Sequence, residues 1–212
     1  MNKQEFVNAL AECMQLQDSF NSVVNPDWRK AKYAWSRAIW TECAELMEHL
    51  QWKWWKNKDG EIDKKQTLLE VVDIFHFVMS DRLIDRRTAL DLANSYEWAR
   101  RHTYANTKEK KLKQVEELVM LCLDKQNFEA AFFQVVIALE INVETMLKYY
   151  LGKNALNKFR QDNGYKSGTY RREWNVAGFQ FDDNVVLESI LESSTEKMSF
   201  DNIYSKLKSF YI

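Results

Sequence analysis

A stretch at residues 68–79, Leu-Leu-Glu-Val-Val-Asp-Ile-Phe-His-Phe-Val-Met, decides the fold of this chain. Nearly all of its positions are apolar, so a helix built from it is hydrophobic all round and belongs in the centre of a domain. The apolar pattern extends this predicted helix over about 65–83. Glu70 and Asp73 lie three residues apart within it and share one helix face. Ionised acids are rarely buried without a partner, so this pair needs an explanation.

A second acidic pair lies upstream, where Glu42 and Glu45 have the same spacing. They interrupt the apolar stripe of a helix predicted to start near Asp27, a suitable N-cap, and to end near His49. Two acidic pairs facing each other would repel and raise their pKa values, whereas two or three Mg²⁺ ions would neutralise them. Mg²⁺ prefers oxygen ligands, and its surplus charge could hold an anionic substrate. The alternative is that the acids pair with basic side chains, namely Arg37, Arg82 or Lys53.

Few turn-forming residues occur in the chain. Gly accounts for 5 and Pro for 1 of the 212 residues, whereas sheet-rich folds need many such residues at their turns. With 46% apolar residues, the composition predicts a single all-α domain over 1–212 that is built from long helices. Core helices are expected over about 4–83, and a lid with C-terminal helices over about 152–212. Middle helices are predicted at three places: 87–101, 108–124 and 127–160.

The net charge and the cysteine content indicate which binding partners and which cellular compartment to expect for this protein. A formal net charge of −1 gives no reason to expect nucleic acid as a partner. Short apolar runs interrupted by charges predict no membrane span. Three well-separated cysteines without a C-x-x-C motif predict reduced thiols and a cytoplasmic protein.

Two amides interrupt the apolar stripe of the first predicted helix. Gln17 and Asn21 lie four residues apart and share one face. A side-chain amide presents a donor and an acceptor side by side, which matches the O4 and N3–H edge of uracil. With the amide flipped, the same group matches cytosine. The alternative is that both amides are core residues satisfied by their neighbours.

A basic, glycine-bearing stretch follows over 152–178 and holds four of the five glycines. Between 153 and 172 it has six basic residues and one acid, a composition suited to phosphate oxygens. We expect 162–178 to be a lid loop that is mobile in the free protein and becomes ordered over bound phosphates. The alternative is a fixed surface loop. The groups expected to approach phosphate are Arg160, Lys166, Arg171 and Arg172, with Gly164 and Gly168.

The acidic pairs resemble the E-x-x-E…E-x-x-D signature of the all-α nucleotide pyrophosphatases, and the chain more specifically resembles the dimeric dUTPase family. Residues 16–21 are similar to the first motif of that family, and 157–170 to its distinctive glycine-basic motif. Residues 52–56 resemble its W-K-x-W-K segment, and 73–77 its D-I-W-H-F, with Phe75 in place of Trp. The final motif, usually Glu-Asp-Asn, reads Asp-Asp-Asn at 182–184.

The resemblance implies a helical bundle core around the metal ions and a more mobile helical part. It also implies a homodimeric hydrolase that converts dUTP, and also dUDP, to dUMP by attack on the β-phosphate. It implies that Glu42, Glu45, Glu70 and Asp73 bind Mg²⁺ and that Glu42 or Glu45, with Glu42 preferred, helps to activate the attacking water. The residues implied around the base and sugar are Gln17, Asn21, Trp55, His76 and Phe77. Those implied for the phosphates are Lys56, Arg160, Asn163, Lys166, Tyr170, Arg172 and Asn184. Three nearby residues are expected to serve packing instead: Cys43, Trp52 and Trp54.

Rival functions remain open at this point. A dCTPase, or an enzyme acting on both dCTP and dUTP, would share the carboxylates and differ only in its contact to the base. A general nucleotide pyrophosphatase would lack the glycine-basic motif that is present here. A non-enzymatic helical interaction module would show no Mg²⁺ dependence, but it gives no account of four acids in apolar helices.

Overall fold

The computed structural model describes residues 1–56, 62–104, 107–194 and 198–211. Within these ranges it contains nine helices and one antiparallel hairpin, which confirms the predicted all-α class. The helices are α1 (Lys3–Val24), α2 (Trp35–His49), α3 (Lys64–Ile84), α4 (Ala89–His102), α5 (Lys108–Leu123), α6 (Glu129–Ala138), α7 (Val143–Asp162), α8 (Asp183–Ser193) and α9 (Phe200–Phe210). The strands are β1 (Glu173–Val176) and β2 (Phe179–Asp182). Most of a polar loop expected at 57–63 lies outside the described residues.

Helix α3 lies at the centre of the bundle, as its apolar sequence predicts, and packs against α1, α2 and α7. Its start is set by Asp63, whose side chain accepts hydrogen bonds from the backbone N–H groups of Lys65 and Gln66. Phe75 is fully buried and stacks on Phe132 of α6, with the ring centroids 5.1 Å apart. The helix therefore holds the acids of its exposed edge in a fixed position relative to three neighbours.

Helix α2 begins later than the sequence predicts. The prediction of a start near Asp27 is wrong, because residues 26–31 form turns and helix α2 starts at Trp35. The side chain of Asn25 accepts from the backbone N–H of Asp27, and Lys32 has φ +51°, which no α-helix accommodates.

The helix predicted over 127–160 is two helices, α6 and α7. Glu140 lies between them with φ +60°, and the side chain of Asn142 caps α7 by accepting from the N–H groups of Glu144 and Thr145. The apolar pattern hides this break because both helices are largely buried.

The glycine-bearing stretch is more structured than the sequence predicts. Helix α7 continues through Gly152 to Asp162, and a Cβ at Gly152 would lie 2.8 Å from Leu191 Cδ1 of α8. This glycine therefore permits close packing of two helices. Residues 173–182, expected to lie in or beside a loop, form the β1–β2 hairpin. Its turn has positive φ at both Ala177 and Gly178, the type I′ geometry that matches strand twist.

Other expectations about the fold are confirmed. All three cysteines are buried and unpaired, and Cys43 is fully buried as a packing residue. Trp52 packs against the core, but the expectation for Trp54 is wrong because its side chain is 71% exposed. No single described helix combines the length and apolarity needed to cross a membrane; α6 and α7 together meet those criteria only as a pair bent by 111°.

Candidate active site

The two acidic pairs face each other across the contact between α2 and α3. Side-chain oxygens of Glu42, Glu45 and Glu70 all lie within 4.8 Å of one another. Asp73 lies one helical turn beyond Glu70, and its carboxylate pairs with Lys153 Nζ of α7 at 3.0 Å. Glu70 approaches His49 Nε2 at 3.4 Å. We call these four acids the carboxylate cluster.

The basic residues considered as structural partners of these acids bind elsewhere. Arg82 pairs with Asp81, with Asp85 at 2.9 Å and with Glu129 at 3.2 Å. Lys53 pairs with Glu48. Within the described part of the chain, Arg82, Lys53 and Arg37 form no ion pair with the carboxylate cluster. The cluster therefore keeps a surplus of negative charge that local ion pairs do not offset.

The surplus charge is visible in the pKa values. Burial, followed by the charges of Asp73, Glu45 and Glu70, raises the pKa of Glu42 to about 7. Burial and the charges of Asp73 and Glu45 also raise the pKa of Glu70. Folding thus holds these carboxyl groups in an arrangement that opposes their ionisation, and their oxygens could together hold a cation.

A cavity of about 560 Å³ opens beside the carboxylate cluster. Two members of the cluster, Glu42 and Asp73, also line the cavity. The cavity is also lined by α1, by the segment before α2, by α3 and by α7. The remaining lining residues are Gln17, Phe20, Asn21, Val24, Trp28, Tyr33, Trp35, His76, Phe77, Ser80, Lys153, Asn157, Arg160 and Tyr165.

One wall of the cavity is aromatic. The ring of Trp35 lies 5.5 Å from that of Tyr33, 6.1 Å from that of Trp28 and 6.3 Å from that of Phe77, measured between centroids. Such rings suit the flat face of a nucleobase. Phe77 was predicted at this position, whereas Tyr33 and Trp35 were not.

A polar network also lines the cavity. Gln17 Nε2 donates to Asn21 Oδ1 at 3.0 Å and to Ser80 Oγ at 3.1 Å. Gln17 Oε1 contacts His76 Nδ1 at 2.8 Å and accepts from the hydroxyl of Tyr150 at 2.8 Å. Asn21 Nδ2 donates to Ser80 Oγ at 3.0 Å. The two predicted amides therefore line the cavity and also hydrogen-bond each other.

Helix α7 supplies the cationic side of the cavity. Lys153, Asn157 and Arg160 are spaced by four and then three residues, so they share one helix face. The Arg160 guanidinium donates to both carboxylate oxygens of the buried Asp183, at 2.8 and 2.6 Å. Lys153 and Asn157 lie in the basic stretch and the glycine-basic motif found in the sequence, but they were not among the predicted site residues. The spacing of this face would have identified them.

The other residues predicted to bind phosphate lie around or outside this cavity. Lys166 Nζ donates to the carbonyl groups of Val23 and Val24 at the end of α1, at 2.9 and 2.8 Å. The Tyr170 hydroxyl donates to Asp183 Oδ2 at 2.7 Å, so Tyr170 and Arg160 share one acid. Arg172 forms an ion pair with Asp182 at 3.4 Å. Asn184 Oδ1 accepts from the Arg160 guanidinium at 3.4 Å, and the side chain of Asn163 donates to the Phe159 carbonyl at 2.8 Å.

Two predicted residues lie away from the cavity lining. Trp55 is 54% exposed and packs edge-on against Trp52 and Trp54, and Lys56 beside it is exposed. Ser80 and Tyr150, by contrast, join the polar network without having been predicted. Their sequence positions carry no local signal, because only the packing of α1, α3 and α7 brings them to Gln17.

The comparisons with known proteins agree with the geometry. A family model described as dUTPase matches residues 9–165, which is nearly three quarters of the chain. The matched part includes the carboxylate cluster, the polar network and the cationic face of α7. No curated protein matches the chain. The chain belongs to the all-α dimeric dUTPase family and is a dUTP diphosphatase, an enzyme that hydrolyses dUTP.

Proposed function

We propose that this enzyme requires two or three Mg²⁺ ions held by Glu42, Glu45, Glu70 and Asp73, and that it converts both dUTP and dUDP to dUMP. The observation that carries the proposal is the carboxylate cluster, with three acids whose oxygens lie within 4.8 Å of one another. The non-enzymatic alternative is set aside because the chain belongs to an enzyme family.

The donors in the cluster fit Mg²⁺. All four are carboxylates, and hard divalent cations prefer such oxygen ligands, whereas Zn²⁺ is usually bound by His or Cys as well. His49 approaches Glu70, and the three cysteines are buried in the core. Among the described residues, the group of possible ligand atoms contains Glu42, Glu45 and Glu70 but no histidine or cysteine. The pKa of Glu42 is raised first by burial and then by the charges of Asp73, Glu45 and Glu70, and a bound cation would offset both effects.

Glu42 is the better candidate for the general base. It borders the cavity as well as the cluster, whereas Glu45 is exposed and does not line the cavity. Bound Mg²⁺ would lower the pKa of water and offset the charge of the phosphates. The Glu42 carboxylate would accept a proton from the attacking water while the water oxygen bonds to the β-phosphorus. The bond from the β-phosphorus to the oxygen of the α-phosphate then breaks and dUMP leaves.

The cationic face of α7 supports a binding site for the phosphates beside the cluster. Lys153 already pairs with Asp73, so its ammonium group lies between the acids and the cavity. We propose that Lys153 and Arg160 contact the phosphates, together with the residues predicted from the sequence: Lys56, Asn163, Lys166, Tyr170, Arg172 and Asn184. The base and sugar would lie between the aromatic wall and the polar network, near Phe77 and His76.

We also propose a homodimer in the cytoplasm. Large apolar side chains remain exposed on two neighbouring helices, with Trp40 of α2 at 43% and Met120 and Leu123 of α5 at 60% and 51%. Exposed apolar surface of this kind is typical of subunit contacts.

The decisive experiment measures release of phosphate and pyrophosphate from dUDP and from each deoxynucleoside triphosphate, with Mg²⁺ and with EDTA. We expect turnover of dUTP and dUDP that depends on Mg²⁺. Equal turnover of dUTP in EDTA would contradict the metal proposal, and turnover of dUTP without dUDP would contradict the substrate range.

A further inference from the structure

His76 has one ring nitrogen that the polar network does not use. The residue lines the cavity and is only 7% exposed, and Nε2 has no hydrogen-bond partner among the described residues. A buried polar atom without a partner, on a residue that lines a cavity, points to a group on the ligand. What that group must be depends on which ring nitrogen carries the proton.

The network determines the position of this proton. The backbone carbonyl of His76 can only accept, so the Ser80 hydroxyl donates its single hydrogen to it at 2.9 Å. Ser80 Oγ must then accept from both amides, which turns Nε2 of Gln17 and Nδ2 of Asn21 towards it. Gln17 Oε1 consequently faces His76 Nδ1, and Nδ1 must carry the hydrogen that this oxygen accepts.

The ring is also neutral. Burial, followed by the charge of Lys153, lowers the pKa of His76 to about 3. A neutral imidazole protonated at Nδ1 has a bare lone pair at Nε2 and is an acceptor there. Stacking of the ring on Tyr150, with centroids 4.3 Å apart, holds its orientation.

Gln17 has no capacity left for a ligand. Both hydrogens of its amide nitrogen and both lone pairs of its oxygen are engaged, the latter by His76 and Tyr150. Asn21 keeps one N–H and one lone pair. Gln17 and Tyr150 are therefore positioning residues, and the groups free to contact a base are on Asn21 and His76.

Building on the proposed function, we propose that Gln17 and Tyr150 hold His76 as an Nδ1–H tautomer whose Nε2 accepts the N3–H of uracil, and that this acceptor makes the enzyme reject cytosine. Uracil carries a hydrogen at N3, whereas N3 of cytosine is itself an acceptor. Two acceptors facing each other leave both buried and unpaired, and such a site rejects the analogue strongly. The remaining Nδ2–H of Asn21 is suited to donate to uracil O4.

Nitrogen-15 NMR of the histidines tests the tautomer directly, because the chain has only three of them. His76→Gln assigns the signals of His76. We expect the wild-type ring to be neutral and protonated at Nδ1 across pH 5–8. Addition of dUMP should shift the Nε2 resonance, and dCMP at the same concentration should not. Protonation at Nε2, or an unshifted Nε2 resonance with saturating dUMP, would overturn the inference.

Kinetics of a positioning variant complete the test. Gln17→Met removes the acceptor that fixes the tautomer while keeping the volume, so kcat/KM for dUTP should fall about 10–100-fold and the preference over dCTP should shrink by a similar factor. Tyr149→Phe, at a neighbouring buried tyrosine outside the network, is the matched control and should change neither. Unchanged discrimination in a folded Gln17→Met would overturn the inference. Absence of any turnover by the wild type would instead contradict the proposed function, whatever the tautomer.

Discussion

Glu42 lies where the carboxylate cluster meets the cavity, and its charge links the stability of the protein to its function. The ordinary pKa of a glutamate is about 4.5, and folding raises that of Glu42 to about 7. Below pH 4.5 the group is protonated in both states and has no effect. Above it the unfolded chain ionises first, so the metal-free folded protein loses stability as the pH rises from 4.5 to about 7.

The first prediction is that Glu42→Gln is more stable than the wild type in EDTA, because the neutral amide avoids burying a charge and avoids its repulsion by the neighbouring acids. The gain in melting temperature should grow between pH 4.5 and 7 and level off above it. Thermal melts across this range would measure it. Glu116→Gln, at an exposed site on α5, is the control and should show no such trend. A gain that is the same at pH 4.5 and pH 8 would rule out ionisation of Glu42 as its cause.

The second prediction concerns the whole carboxylate cluster. Glu42→Gln, Glu45→Gln, Glu70→Gln and Asp73→Asn keep the side-chain shape but lose a charged ligand. Each should lower kcat/KM for dUTP at saturating Mg²⁺ by about 100-fold or more, since even residues that merely support a metal ligand cost about 10–100-fold. Glu116→Gln again serves as the control. Full activity in any two of the four variants would argue against the metal assignment.

Among the elements, α7 combines packing with binding, since its buried side contacts α8 and another face carries Lys153 and Arg160 into the cavity. Gly152 lies on the packed side, where a Cβ would come within 2.8 Å of Leu191 Cδ1 and 3.2 Å of Leu187 Cδ1. Both leucines are buried and have little room to move.

The third prediction is that Gly152→Ala lowers the free energy of unfolding by about 1 kcal/mol, because overpacking costs about 1–3 kcal/mol and the better helix propensity returns about 1 kcal/mol. Denaturant unfolding would measure it. In a Leu191→Ala background the closest clash is gone and Leu187 has room to move, so the same change should stabilise the protein. Additive effects of the two substitutions would contradict the packing explanation.

The fourth prediction concerns the lid loop, which follows α7. Residues 165–169 are exposed, and Lys166 is bound to the end of α1 by its side chain rather than by a packed apolar face. We expect trypsin to cleave quickly after Lys166 or Arg171 in the free enzyme and slowly with Mg²⁺ and a non-hydrolysable dUTP analogue. Cleavage after the exposed Lys125, between α5 and α6, is the internal control and should be unchanged. Equal rates at the lid in both conditions would favour the fixed loop.

At the scale of the whole molecule, the fifth prediction is that the enzyme sediments as a homodimer. If the exposed apolar side chains of α2 and α5 form the contact, Trp40→Glu combined with Met120→Glu should give a monomer, because buried like charges oppose association. Trp98→Glu, at a 48% exposed residue of α4, is the control and should leave the dimer intact. A monomeric wild type at micromolar concentration would contradict the proposal.

The sequence by itself determined the features that depend on local spacing. A run that is apolar all round predicted the central helix α3, and two acids three residues apart predicted the shared face that forms the carboxylate cluster. The pairing of Gln17 with Asn21 followed from the same rule. These predictions succeeded because helical periodicity alone decides which side chains lie together on one element.

Only the tertiary structure decided how separate elements meet. The pairing of Asp73 with Lys153 joins α3 to α7, and the tautomer of His76 depends on α1, α3 and α7 at once. The break at Glu140 was also missed, since a single residue with positive φ leaves no trace in an apolar pattern. The β1–β2 hairpin was missed as well, because its two strands have only four residues each and its turn depends on positive φ at Ala177 and Gly178. In our proposal the choice between uracil and cytosine rests on one proton of His76. Packing of distant segments, rather than spacing along the chain, would then determine where that proton lies.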